Sequence, residues 1–254
     1  VRILLTNDDG YRAPGLAILE RIARTLSDDI TIVAPAEEQS GKGRSLTLNE
    51  PVRVRQFGEK SYAITGTPTD SVMFALAEVM RDARPDLVLS GVNRGANLGE
   101  DVFYSGTVGA AMEGALAGIR SVALSQRYGN EAPGEDVTFD AATAWGERVL
   151  RPLLHLDWSP RTVMNINFPP VEADRVKGIR VVNQGLRDYG RMRLTRRTDP
   201  RGFPYYWMGL GRVPHDPVAD TDLEAIELGY VTVTPLQMDL THRESFDMVN
   251  AAYR

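Results

Sequence analysis

A chain of 254 residues with 43% hydrophobic and 25% charged residues reads as one large globular domain, or one domain with a substantial appendage. Its net charge of −5 gives no basic footprint for nucleic acid, and the lack of cysteine excludes a disulfide framework, a thiol nucleophile and a zinc–thiolate site. The widely spaced His155, His215 and His242 do not suit a histidine metal cage, and no apolar run approaches the length of a membrane span, so the expected location is the cytoplasm, away from membranes.

The chain opens with Arg2-Ile3-Leu4-Leu5-Thr6-Asn7-Asp8-Asp9-Gly10. Ile3, Leu4 and Leu5 form an apolar run too short for a helix, and a turn follows at once, the pattern of a strand buried on both faces of a parallel sheet. Two adjacent carboxylates then stand where ligands of open α/β sheets bind, outside the C-terminal end of the strand. Ionised carboxylates about 4 Å apart repel by roughly 4 kcal/mol at an effective dielectric near 20. The pair must therefore share a proton, face water or hold a cation. A solvated Asp-Gly turn is the plainer alternative.

Pro14-Gly15 leads into a helix with Leu16, Leu19, Ile22, Ala23 and Leu26 on one face, and Ile30, Ile32 and Val33 make the next strand, completing a βαβ unit. The loop Glu37-Glu38-Gln39-Ser40-Gly41-Lys42-Gly43 could bring backbone N–H groups to an anion, but it lacks the full phosphate-loop spacing and also reads as a flexible connection. Alternation over residues 45–64 predicts shorter strands beside the main sheet. Thr67-Pro68-Thr69-Asp70 is a helix start, with Val72, Met73, Leu76, Val79 and Met80 as the buried stripe behind it; the two methionines read as core filler.

Leu87-Val88-Leu89 is another buried strand, and it runs into Ser90-Gly91-Val92-Asn93-Arg94-Gly95-Ala96-Asn97. Tyr104-Ser105-Gly106-Thr107-Val108 then opens a helix rich in glycine and alanine, which can approach the sheet closely. Its start turns free N–H groups and two hydroxyls towards whatever precedes it, the form of an anion site, although Ser105 or Thr107 could equally be a plain N-cap. A strand at Val122-Ala123-Leu124, a helix over 139–154 and a strand over 163–168 complete a doubly wound, mostly parallel α/β sheet. Residues 183–218 change texture, with arginine, proline, glycine and the aromatic run Tyr205-Tyr206-Trp207. A short helix over 222–228, a strand over 230–233 and a charged helical tail follow. We expect an α/β core over 1–182 and a C-terminal extension over 183–254.

Three strand ends converge in this topology, bearing Asp8 and Asp9, Ser40, and Asn93. Two carboxylates, a hydroxyl and an amide carbonyl are hard oxygen donors, suited to Mg²⁺, Mn²⁺ or Ca²⁺. With Ser105-Gly106-Thr107 nearby, they describe a metal site beside a phosphate site.

The sequence resembles the survival protein SurE family of metal-dependent nucleotidases over essentially its whole length. The matching stretches are residues 3–10, Val33-Ala34-Pro35 with Gln39-Ser40, Gly66-Thr67-Pro68-Thr69-Asp70, Ser90-Gly91-Val92-Asn93-Arg94-Gly95 with Asn97, Tyr104-Ser105-Gly106-Thr107-Val108, Asn165-Ile166-Asn167-Phe168-Pro169, and residues 229–236. The resemblance implies a phosphatase for nucleoside 5′- and 3′-monophosphates. By it, Asp8, Asp9, Ser40 and Asn93 bind one divalent ion per subunit, Mg²⁺ or Mn²⁺, with Ca²⁺ able to substitute. Asn97, Ser105, Gly106 and Thr107 would line the phosphate pocket. The family also implies a C-terminal segment exchanged between subunits in a homodimer or homotetramer. Asp8 or Asp9 could serve as the general base, and the residues do not choose between them. Two other classes place acids after a first strand. A covalent aspartyl phosphatase separates its two aspartates by one residue, whereas these are adjacent, and a phospho-receiver domain would need an acceptor aspartate where this chain has Asn93.

Overall fold

The computed structural model describes residues 1–129, 138–187, 192–210 and 217–253; His215 lies outside them. β1 (Ile3–Thr6) is buried along its whole length. The turn after it uses Gly10 at φ 102°, where a Cβ would lie 3.2 Å from the Glu37 carbonyl carbon, so glycine lets this turn rest on the loop that follows the second strand. α1 (Pro14–Arg24) begins with Pro14 in its first turn. β2 (Ile30–Pro35) pairs parallel with β1. Side chains alternate across β1: Ile3 and Leu5 pack with Leu16, Leu19 and Ile22 of α1, while Leu4 faces the other way.

Residues 45–53 carry no strand, contrary to the alternation expected there; Leu48 is 79% exposed. This stretch instead serves the helix start that follows. Thr47 donates through its N–H and hydroxyl to the Asp70 carboxylate at 3.1 and 2.6 Å, and the Thr67 hydroxyl donates to the Ser45 carbonyl at 2.7 Å. β3 (Val54–Gly58) and β4 (Ser61–Ile64) form a hairpin joined to β2 at one end of the main sheet. In α2 (Pro68–Phe74), Thr67 and Asp70 form a reciprocal capping box, as the spacing predicts. Val72 and Met80 are buried, but Met73 is 43% exposed and does not fill the core as expected. The helix widens into a π-turn over 75–79, so the 3.6-residue stripe does not continue unbroken along it.

β5 (Leu87–Arg94) lies parallel to β1 on the side opposite β2. α3 (Gly106–Leu116) sits close on the sheet: a Cβ on Gly114 would stand 2.5 Å from Ser121 Oγ and 2.8 Å from Val88 Cγ2. β6 (Arg120–Gln126) and β7 (Thr162–Phe168) extend the parallel sheet, with α4 (Asp140–Leu153) packed beside α1. Beyond β8 (Ile179–Val181) come β9 (Met192–Thr198), β10 (Pro204–Leu210), α5 (Asp222–Glu227), β11 (Val231–Gln237) and α6 (Arg243–Ala251).

Among the described residues the main sheet has nine strands in the order β3-β4-β2-β1-β5-β6-β7-β11-β8. The chain winds outward from β1 through β2, then returns to β5 on the other side, so the switch point opens between the C-terminal ends of β1 and β5. α1 and α4 cover one face, α2 and α3 the other. β11 returns from the C-terminal segment into the sheet, antiparallel to β7 and parallel to β8. β9 and β10 form a separate antiparallel ribbon. No described helix is long and apolar enough to cross a membrane.

Candidate active site at the switch point

Asp8 and Asp9 leave the end of β1 into different surroundings. Asp8 is buried, and its Oδ1 accepts the hydroxyl of Thr107 at the start of α3. Gly106 makes that approach possible, because a Cβ there would lie 2.8 Å from Asp8 Cβ and 2.9 Å from Asp8 Oδ2. Burial pushes the Asp8 carboxyl up to about 6, the Thr107 hydroxyl pulls it down, and the Asp9 charge pushes it up again. Asp9 is half-buried and also raised by burial; the Arg94 N–H, donating to its Oδ2 at 2.9 Å, and the Arg94 charge oppose the shift, while Glu38 adds to it.

The other two expected metal ligands stand one residue from groups bonded to this pair. Gln39 N–H donates to the Asp8 carbonyl at 2.7 Å, next to Ser40, and the Asp9–Arg94 bond adjoins Asn93. Ser40 is exposed and donates its hydroxyl to Glu38 Oε1 at 2.8 Å. Asn93 donates its Nδ2 to the Gly95 carbonyl at 2.7 Å, which fixes the amide and leaves its Oδ1 without a hydrogen bond from the described residues. No cluster of three or more His, Cys, Asp or Glu side chains gathers among the described residues. A cation at this point would rest on two carboxylates completed by neutral oxygens.

Of the expected phosphate groups, Gly106 and Thr107 adjoin Asp8 directly, which brings the α3 start against the carboxylate pair. Ser105 caps α3, its Oγ accepting the Val108 N–H at 3.0 Å. Asn97 is tied to β6 and β7 instead of to either carboxylate: its Nδ2 donates to Ser125 Oγ at 2.7 Å.

Two charged side chains escaped assignment from sequence. Glu38 and Arg94 line a cleft of about 290 Å³ with Asp9, Ala13, Pro14, Gly15 and Phe139, on the α1 face of the switch point. Arg94 adjoins Asn93 in the sequence and Glu38 stands two residues before Ser40, and that proximity was the available signal.

The profile described as survival protein SurE matches residues 3–191. The 5′-nucleotidase SurE of Rhizorhabdus wittichii is 64% identical over 254 residues, covering 100% of both chains. The 5′-nucleotidase SurE of Erythrobacter litoralis is 57% identical, again over 100% of both. A crystal structure of the SurE protein from Aquifex aeolicus superposes with a TM-score of 0.85 at 36% identity, covering 100% of each chain.

Proposed function

The chain belongs to the survival protein SurE family, and from that premise we propose that it is a hydrolase releasing phosphate from nucleoside 5′-monophosphates, and from 3′-monophosphates, at the Asp8–Asp9 pole. One observation carries this reading: a carboxylate pair at the sheet's switch point abuts the N-terminus of α3 through Gly106 and Thr107.

The residues present fit a divalent cation. Asp8 and Asp9 are held side by side partly out of water, and neither makes an ion pair with a described lysine or arginine side chain; Asn93 Oδ1 is uncommitted, and Ser40 adds a hydroxyl oxygen. All four are hard donors. When bound, a Mg²⁺ or Mn²⁺ ion supplies positive charge against the phosphate and lowers the pKa of water.

The chain's own groups do the rest. Hydrolysis of a phosphate monoester demands on the order of 20 kcal/mol of transition-state stabilisation, most of it from positioning and electrostatics. The α3 N-terminus with Ser105, Gly106, Thr107 and Asn97 holds phosphate oxygens. Thr107 keeps the Asp8 carboxylate oriented. Asp9, more open than Asp8 and lining the cleft, takes the proton of the attacking water as the phosphorus–oxygen ester bond breaks, and the departing ribose oxygen takes a proton from water in the cleft to leave as the hydroxyl. The cleft beside Asp9 receives the nucleoside.

The C-terminal extension acts as the association element of a homodimer or homotetramer. Leu194, Tyr205, Tyr206, Trp207 and Met208 of the β9–β10 ribbon are all exposed, and a lone two-stranded ribbon is marginal in water. Steady-state phosphate release from AMP, GMP and 3′-AMP tests the activity. Turnover with no phosphate trapped on the protein is expected; a single stoichiometric burst with covalent labelling would point to the aspartyl-phosphate class instead.

A further inference from the structure

The stretch Asn165-Ile166-Asn167 marks this chain as strongly as the Asp8–Asp9 pair does, yet the reaction leaves it without a task. On β7 a spacing of two puts both asparagine side chains on the α3 face, while Ile166 and Phe168 point into the apolar core on the other. Both asparagines are fully buried. One row away on the same face Val163 and Leu236 are apolar, so nothing about the layer itself calls for amides. A buried amide is costly unless it is hydrogen-bonded.

The bonds these two make converge on one residue. Asn165 Nδ2 donates to the Asn97 carbonyl at 2.8 Å, and Asn167 Nδ2 donates to the same oxygen at 3.2 Å. Asn167 Oδ1 accepts the Asn97 N–H at 2.8 Å. Ser125 on β6, which faces Asn167 in the register, accepts one hydrogen of the Asn97 side-chain amide at 2.7 Å. The amide has a second hydrogen to give. Asn97 belongs to no strand or helix, and these groups take both its backbone donor and its acceptor. Asn165 Oδ1 has no partner among the described residues, so its amide is not there to complete a general polar network.

We propose that Asn165 and Asn167 are positioning residues, which clamp the backbone of Asn97 so that its side-chain amide is pre-aimed at a substrate phosphate oxygen, with Ser125 setting its rotamer. This rests on the phosphatase reading of the site. It makes the segment between β5 and α3 a rigid phosphate arm anchored on β7, two strands away from β5 in the sheet, not a loop that closes on the substrate.

The test is a double-mutant cycle on the full chain with Mn²⁺ present, using Asn97→Ala, Asn167→Ala and the pair. Each protein is measured for kcat/KM on AMP, for the Kd of inorganic phosphate by calorimetry, for half-saturating Mn²⁺ and for Tm. If Asn167 acts through Asn97, Asn97→Ala lowers kcat/KM by about 10- to 100-fold, Asn167→Ala by about 10-fold, and the double variant falls no further than Asn97→Ala. Phosphate affinity weakens in the same order while half-saturating Mn²⁺ moves by less than about twofold, as loss of a phosphate contact and not a metal ligand requires. Losses that multiply in the double variant would overturn the proposal, as would a lowered Tm with parental phosphate affinity. Should Asn167→Ala not give folded protein, Asn165→Ala, which removes a single donor, enters the same cycle. Parent protein that binds phosphate but does not release it from AMP would sink the nucleotidase reading, with the calorimetric cycle still deciding the clamp.

Discussion

The segment that links β5 to α3 and the β9–β10 ribbon are both irregular excursions from one sheet, and they are held in opposite ways. The first is fastened throughout. Gly95 N–H donates to the Gln126 carbonyl at 2.9 Å, Asn97 is held by β7, and Gly99 N–H donates to Asp222 Oδ2 at 2.8 Å. Arg187 Nη1 donates to the Leu98 carbonyl and to Asp101 Oδ2, both at 3.0 Å. The ribbon bonds strand to strand and leaves Trp207 65% exposed. The contrast teaches that the segment leading to α3 has its geometry set by bonds within one copy of the chain, while the ribbon leaves its apolar side chains uncovered.

The sharpest separation of the two regions comes from a single charge at the pole. Asp9→Asn should lower kcat/KM on AMP by about 1,000-fold or more, since it removes the carboxylate proposed to take the proton of the attacking water, yet leave oligomeric mass at the parental value and Tm at the parental value or slightly above it. A mass change would mean that the pole and the ribbon are not independent. The converse variant excises residues 188–216 and closes Arg187 to Pro217 with a short glycine linker. Gly185 N–H and Asp222 Oδ1, 2.8 Å apart, already bring the two sides of the cut together. Sedimentation should then report a monomer with native circular dichroism; an unchanged assembly would remove the ribbon from the interface.

Asp222 is where the regions meet, and it sharpens the comparison at smaller scale. Its carboxylate, held above its usual range by burial, accepts the N–H groups of both Gly99 and Gly185. Asp222→Ala leaves two buried donors unpaired, and thermal or denaturant unfolding should show a loss of about 2–4 kcal/mol, with kcat/KM falling because the phosphate arm loosens.

The smallest effect concerns metal-free protein. Asp8 titrates in the fold near 6 against an ordinary 3.8, so its ionised form is less favourable folded than unfolded. Stability is therefore lost as pH rises between those two values, and the penalty persists in full above them. Asp8→Asn should raise the stability of stripped protein at pH 7.5 by about 3 kcal/mol, an advantage that fades by pH 4. Equal stabilisation at both pH values would mean that charge burial is not its source.

Much of the core was legible because its signals are local. Ile3-Leu4-Leu5, the Thr67-Pro68-Asp70 cap and the small residues around Gly114 each state their own packing. The expectation failed where a distant partner decides. Residues 45–53 alternate like a strand but are drawn off by Asp70, and Met73 sits in a helical stripe that the π-turn interrupts. The return of β11 between β7 and β8 depends on pairings remote in sequence, which no short window contains. That Asp8 and Asp9 would stand at a strand end near the Gly106 helix start was readable from the local pattern. The Thr107–Asp8 bond and the Asn97 clamp were not, because each needs three-dimensional register between elements far apart in the chain.

The account stands most directly on phosphate release from AMP by protein stripped with a chelator, then supplemented with Mn²⁺. It predicts no turnover from the stripped protein and full recovery on supplementation, with Asp9→Asn inactive in both states. Undiminished turnover by the stripped protein would contradict it.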